Sequence, residues 1–106
     1  MNIIVIGCGK IGTTLVASLV AEGHDVVALD RDPDVISEIT NIYDVMGVCG
    51  NGADSDILAE AGVADAEMVA AVTGSDELNM LACFLANRMG AGNTIARIRN
   101  PEYNDR

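Results

Sequence analysis

Residues 2–12 read Asn2-Ile3-Ile4-Val5-Ile6-Gly7-Cys8-Gly9-Lys10-Ile11-Gly12, a β-branched apolar run that breaks into three glycines spaced G-x-G-x-x-G. So short a run suits a strand buried on both faces of a parallel sheet. Apolar residues then recur at Ile11, Leu15, Val16, Leu19 and Val20, which is helical spacing. The glycine pattern alone is common; its place between a strand and a helix gives it meaning. Gly7 permits the tight turn, Gly9 lets backbone come close to a pyrophosphate, and Gly12 lets the helix approach the sheet. A helix that starts there offers unpaired N–H groups and the positive end of its dipole to phosphates. Lys10 either adds a cation to that site or points to solvent.

Outward from this turn, strand and helix patterns alternate. Gly23 follows the first helix as its C-terminal cap. Asp25–Asp30 reads as a second strand. Asp32 caps and Pro33 opens a second helix that runs to about Ile42. Asp44–Cys49 is a weaker third strand, and Gly50-Asn51-Gly52 a turn. A short helix over 54–61 is closed by Gly62. Glu67–Thr73 is the fourth strand, Asp76–Met89 the longest helix, and Asn93–Ile98 the fifth strand. Right-handed crossovers then predict an α/β, Rossmann-like, doubly wound parallel sheet of five strands in order 3-2-1-4-5, with helices on both faces. Residues 1–98 make up this domain, and 99–106 read as the truncated start of a crossover segment.

In such a sheet the order reverses between the first and fourth strands, and ligands bind in the crevice above that point. Asp30 ends the second strand, 18 residues after Gly12. A carboxylate there accepts both hydroxyls of an adenosine ribose and repels a 2′-phosphate, so NAD is favoured over NADP; the neighbouring Arg31 weakens that preference a little. Asn51 either borders the adenine or serves as a left-handed turn residue. Thr73 and Gly74 face the far half of a dinucleotide, and Ser75 or Asp76 caps the long helix. Arg97, among apolar neighbours, needs an anionic partner: a ligand phosphate or a carboxylate such as Glu77.

Composition narrows the classes further. The chain has 106 residues, half of them apolar, and sixteen acidic against six basic residues, for a net charge of −10. Disorder is excluded by the apolar content. The acidity argues against nucleic acid as a partner and against direct adsorption to an anionic membrane. No apolar run approaches the ~20 residues of a membrane helix. Cys8, Cys49 and Cys83 fit no zinc or disulfide spacing and read as packed, reduced thiols. The single histidine, His24, is expected in an exposed loop away from the crevice. No Ser/His/Asp set, Cys/His pair or metal-ligand spacing is present, so hydride chemistry and other catalysis are not expected.

The stretches IIVIGCGKIG, VVALD, AVTGSDELNMLAC and IARIRNPEY resemble the N-terminal nucleotide-binding domain of the Trk potassium-uptake regulators, which belong with the "regulator of potassium conductance" domains. The resemblance covers essentially the whole chain. It implies a Rossmann-like fold that binds NAD(H), or ATP/ADP, on the cytoplasmic side of a potassium transporter. It carries nucleotide contact onto Gly7, Cys8, Gly9, Lys10, Ile11, Asp30, Thr73, Gly74 and Arg97. Lys10 stands where some relatives carry Arg, which leaves the choice between ATP and NAD open.

Three functions follow as expectations. The first is a cytoplasmic regulatory subunit domain, peripheral at the inner face of the membrane through a potassium transporter partner. The second is the cofactor domain of an NAD-dependent dehydrogenase or reductase. The third is an interaction domain with a vestigial site. In the longest helix Leu78, Leu81 and Leu85 form a stripe widened by Met80, Cys83 and Phe84. One sheet face covers only part of it, so the excess is expected to join a twofold contact with another copy.

Overall fold

The structure, a computed structural model, describes residues 1–103. Five strands are β1 (Asn2–Ile6), β2 (Asp25–Asp30), β3 (Met46–Cys49), β4 (Met68–Ala71) and β5 (Asn93–Ala96). Four α-helices are α1 (Lys10–Ala21), α2 (Pro33–Ile42), α3 (Ser55–Glu60) and α4 (Asp76–Arg88), with 3-10 turns at Val63–Asp65 and Pro101–Tyr103. All four strand pairings are parallel, and the order is β3-β2-β1-β4-β5. The doubly wound sheet expected from the sequence is the observed fold.

Strand alternation explains the two-sided core. Ile3 and Val5 of β1 pack with Val16, Val26, Ala28 and Ile39 under α1 and α2. Ile4 and Ile6 pack on the other face with Leu29, Leu58, Val69, Ala82 and Ala86 under α3 and α4. All four of these β1 side chains are essentially inaccessible, so the central strand carries both layers at once.

Several details depart from the sequence reading. β3 begins at Met46 rather than Asp44, where its pairing with Val27 of β2 starts. β4 ends at Ala71 and β5 at Ala96, short of Thr73 and Ile98. Thr73 leaves the ladder because its N–H and hydroxyl are both captured by Asn79. The buried face of α4 is Asn79, Ala82, Cys83 and Ala86, with Leu85 packed against the core beside it; Leu81 and Phe84 are exposed, the part of the stripe that the sheet leaves uncovered. Small side chains let this helix lie close on β4 and β5. Cys49 is exposed because β3 is an edge strand, whereas Cys8 and Cys83 are buried. His24 is half-buried, with Nδ1 3.2 Å from the N-terminal amine and Nε2 3.6 Å from Glu22. It sits beside the starts of β1 and β2, at the end of the sheet opposite the glycine turn.

Candidate functional site

The glycine turn is built as its spacing predicts. Gly7 has φ +94°, a left-handed conformation open to glycine, and a Cβ there would meet the Thr73 backbone at 2.8 Å. A Cβ on Gly12 would lie 1.7 Å from the Gly7 carbonyl oxygen. The first turn of α1 is thus pressed onto the loop itself. A Cβ on Gly9 would meet nothing within 4 Å; the open space there is what a ligand approaching the backbone requires.

The helix termini differ in a telling way. Asp32, Asp54 and Ser75 accept first-turn amides of α2, α3 and α4 through their side chains. At α1 the N-cap is Gly9, with no side-chain cap. The first-turn N–H groups of a helix have no acceptor inside it, and here they face the open side of the loop.

Asp30 closes the other side. One carboxylate oxygen accepts the Cys8 N–H at 2.7 Å, the other the Asp32 N–H at 2.9 Å. Each oxygen keeps a further lone pair for a sugar hydroxyl. The Cys8 side chain is turned inward, with Sγ near the Val5 and Leu29 carbonyls. Burial first, and the Asp30 charge second, push its thiol up to about 12, so it stays protonated. Cys8 therefore serves the loop through its backbone.

A crevice of about 110 Å³ above β1 and β4 is lined by Gly7, Asp30, Arg31, Asn51, Thr73 and Leu78, among others. It unites five residues chosen from sequence. Asn51 accepts the Ala53 N–H at 2.8 Å and so also shapes its own turn. Cys8, Gly9 and Lys10 line a second groove between α1 and α2, with Glu38 and Ile42. Ile11 is exposed on the first turn of α1. A larger cavity, about 460 Å³, lies at the other end of the sheet beside Asp25, Asp44 and Asp65. Its acidity makes it the poorer host for phosphates.

The far lip of the crevice holds residues that sequence reasoning missed. Asn79 is fully buried and binds Thr73 through its N–H, hydroxyl and carbonyl, and Arg97 through its carbonyl. Ser75 caps α4, with Oγ 3.1 Å from the Leu78 N–H. Asp76 does not share that role; its two oxygens accept the Arg99 and Asn100 amides at 3.0 and 2.7 Å. These bonds hold its carboxyl below the ordinary range. Arg97 is half-buried, and its charge acts on Asp76. Glu77, the carboxylate considered for it from sequence, instead accepts the Tyr103 hydroxyl at 2.7 Å. The Arg99 guanidinium donates to the Gly74 carbonyl. One signal was available: Asn79 begins an i, i+3, i+4, i+7 face otherwise made of Ala82, Cys83 and Ala86, and a polar residue on a buried face needs partners.

A parallel doubly wound sheet with a glycine turn, a bare helix terminus and a carboxylate ending β2 defines a dinucleotide-binding class of fold. The chain belongs to the TrkA-N domain family, whose model matches residues 3–106. Similar proteins include the Trk system potassium uptake protein TrkA of Vibrio alginolyticus, 43% identical over 97% of this chain and 23% of that protein. The Trk system potassium uptake protein TrkA homolog of Archaeoglobus fulgidus is 41% identical over the whole chain and 24% of its own length. This chain thus spans about a quarter of those relatives. Among solved structures, the NAD(P)-binding domain of an exopolyphosphatase-related protein from Archaeoglobus fulgidus superposes with a TM-score of 0.83 at 23% identity, over 94% of this chain and 74% of that one. The Kef CTD from Shewanella denitrificans in AMP-bound form gives 0.77 at 23% identity, over 90% and 57%. At these identities the two structures speak for the fold.

Proposed function

We propose that this chain is a nucleotide-sensing regulatory domain of a potassium uptake system, with NAD(H) as its first-choice ligand and ATP or ADP as the rivals. The observation that carries this reading is the bare N-terminus of α1 facing the Asp30 carboxylate across a glycine turn that tolerates no side chain at Gly7 or Gly12. The placement of basic side chains supports it. The described residues hold Lys10, Arg31, Arg88, Arg97 and Arg99, and all but Arg88 follow the C-terminal ends of strands. They offer an anionic ligand basic partners at this end, beside the carboxylates of Asp30, Asp32, Asp76 and Glu77.

The backbone of Gly9, Lys10 and Ile11 would hold the diphosphate, Asp30 the ribose, and Arg31, Asn51 and Leu78 the adenine side. Thr73, Gly74 and Arg97 would border the remaining half. The nucleotide supplies differential binding here rather than bond chemistry. It shifts a transporter only as far as it prefers one of two states of the assembly. The partner is a membrane potassium transporter subunit, which would hold the domain at the cytoplasmic face. A second copy would meet the exposed face formed by Met80, Leu81, Phe84 and Ile95. A dehydrogenase role lacks support in the crevice, because the one histidine lies at the far end of the sheet.

Calorimetry with NADH, NADPH, ATP and ADP tests the ligand. NADH should bind more tightly than NADPH, since Asp30 repels a 2′-phosphate. Absence of heat with all four at about millimolar concentration overturns the reading, that being the weak limit of useful affinity. Nucleotide-dependent potassium flux with a membrane partner tests the regulatory half.

A further inference from the structure

The two faces of the sheet are covered unequally. α1 and α2, of 12 and 10 residues, lie over one face. On the other face the β2–β3 half is left to α3, which has six residues and stops where Gly62 turns at φ +84°. So short a helix reaches about 9 Å, whereas a six-residue strand such as β2 runs about 20 Å. What α3 leaves bare is a row of side chains in register: Ile4 pairs with Val27, and Val27 with Met46. Exposure grows outward along this row, from 2% at Ile4 to 52% at Met46. The row floors the cavity of about 460 Å³, with Ala61 and Gly62 in its wall. That volume is within the range of ligand pockets.

Carboxylates stand one step beyond the row. Asp25 precedes Val27 by two residues in β2 and so shares its face. Asp44 and Asp65 line the same cavity, and no lysine or arginine does. None of these three carboxylates accepts a hydrogen bond or pairs with a cation among the described residues. An apolar floor under an acidic rim suits a long basic side chain. Lys and Arg lay their methylene stems on apolar surface and keep the charged head at its edge.

We propose that this cavity docks a basic segment of a partner protein. An Arg or Lys stem would lie over Val27 and Met46, with its cation among Asp25, Asp44 and Asp65. A neighbouring apolar residue of the segment would rest against Ala61 and Met46. The net charge of −10 draws such a segment in, and the rim orients it. The cavity lies at the opposite end of the sheet from the glycine turn, so this docking stands independently of the nucleotide reading.

The probe is a short synthetic peptide of alternating Leu and Arg, with its Leu-Glu counterpart and arginine amide beside it, each followed by the backbone amide shifts of the chain. The Leu-Arg peptide should move Val27, Met46, Ala61 and Gly62 and leave Gly9 and Gly12 in place. Met46→Ser should weaken it about ten-fold, the worth of one partly buried apolar side chain. Asp25→Asn with Asp65→Asn should weaken it about five-fold, the worth of two rim ion pairs. The same change of charge at Asp34→Asn with Asp56→Asn, exposed positions on α2 and α3, should leave affinity within about two-fold. Shifts that fall elsewhere, an unaffected Met46→Ser, or equal losses from the Asp34 and Asp56 pair mean adsorption by net charge and overturn the docking. So does a Leu-Glu peptide that binds as well. Arginine amide that binds as tightly as the peptide makes this a small-amine site, and shifts that grow with protein concentration alone make it a contact between copies; either result overturns the proposal. Absence of any shift at about millimolar peptide overturns it outright.

Discussion

Two helix N-termini flank the same crevice, and they are built in opposite ways. α1 starts on a glycine that caps nothing, and its loop is shaped by Gly7 and Gly12. α4 starts on Ser75, and Ser75, Asp76 and Asn79 together satisfy Leu78, Arg99, Asn100, Thr73 and Arg97. One end keeps its donors for something outside the chain. The other has a first-turn donor capped by Ser75, and its Asp76 and Asn79 side chains bind neighbouring segments of the chain. A helix terminus reads as a ligand site only when the protein has left it unsatisfied.

The sharpest way to break the contrast is Gly12→Ala, which fills the bare end from within. Its Cβ would fall 1.7 Å from a backbone oxygen that cannot swing away. We expect a loss of about 3 kcal/mol or more in urea unfolding, or no folded chain, as overpacking against backbone costs more than the ordinary 1–3 kcal/mol. Asn79→Ala strikes the saturated end. It strips partners from Thr73 and Arg97 around a fully buried site, and should cost about 2–4 kcal/mol in the same measurement, more than one orphaned group.

Asp30→Ala separates binding from folding. It removes the proposed ribose acceptor and frees the Cys8 N–H. NADH affinity should drop by about 1–3 kcal/mol in calorimetry, the usual cost of an unpaired partner; unchanged affinity would take Asp30 out of the site.

Acid should loosen the saturated end. The Arg99 and Asn100 amides hold the Asp76 carboxyl below its ordinary value, and the Tyr103 hydroxyl does the same for Glu77. A lowered folded-state value means the stabilisation is complete above about pH 5 and fades as pH falls below about 4 through those lowered values. Exchange at Asn100 should therefore rise below about pH 4, beyond the intrinsic pH dependence, before the strands open. Exchange at Asn100 that follows only the intrinsic pH dependence would take the Asp76 carboxylate out of the hold on this segment.

The first third of the fold was legible because its signals are local. Ile3–Ile6 could only be a doubly buried strand, and three glycines at that spacing leave few other turns. Asp30 followed from its place at the end of the next strand. The α4 region was harder to read, because its determinants are contacts between segments about twenty residues apart. β4 stops where Asn79 takes Thr73, and no hydropathy pattern marks that event. The leucines of α4 suggested a stripe only partly covered by the sheet, but not that the close approach to β4 and β5 would be made through Ala82, Cys83 and Ala86. Asp76 looked like a cap because sequence shows the helix start and not the chain that returns to it. Cys49 looked packed because its run is apolar, and only the strand order shows that β3 is an edge.

Lys10, Arg31, Arg97 and Arg99 follow the C-terminal ends of the strands, but so do Asp32, Asp54, Asp76 and Glu77, while Asp25, Asp44 and Asp65 surround the cavity at the other end. A diffusing phosphate compound therefore meets a body that is negative overall and finds its cations only at short range. Salt that screens this repulsion should consequently speed capture rather than slow it, whatever it does to the final affinity.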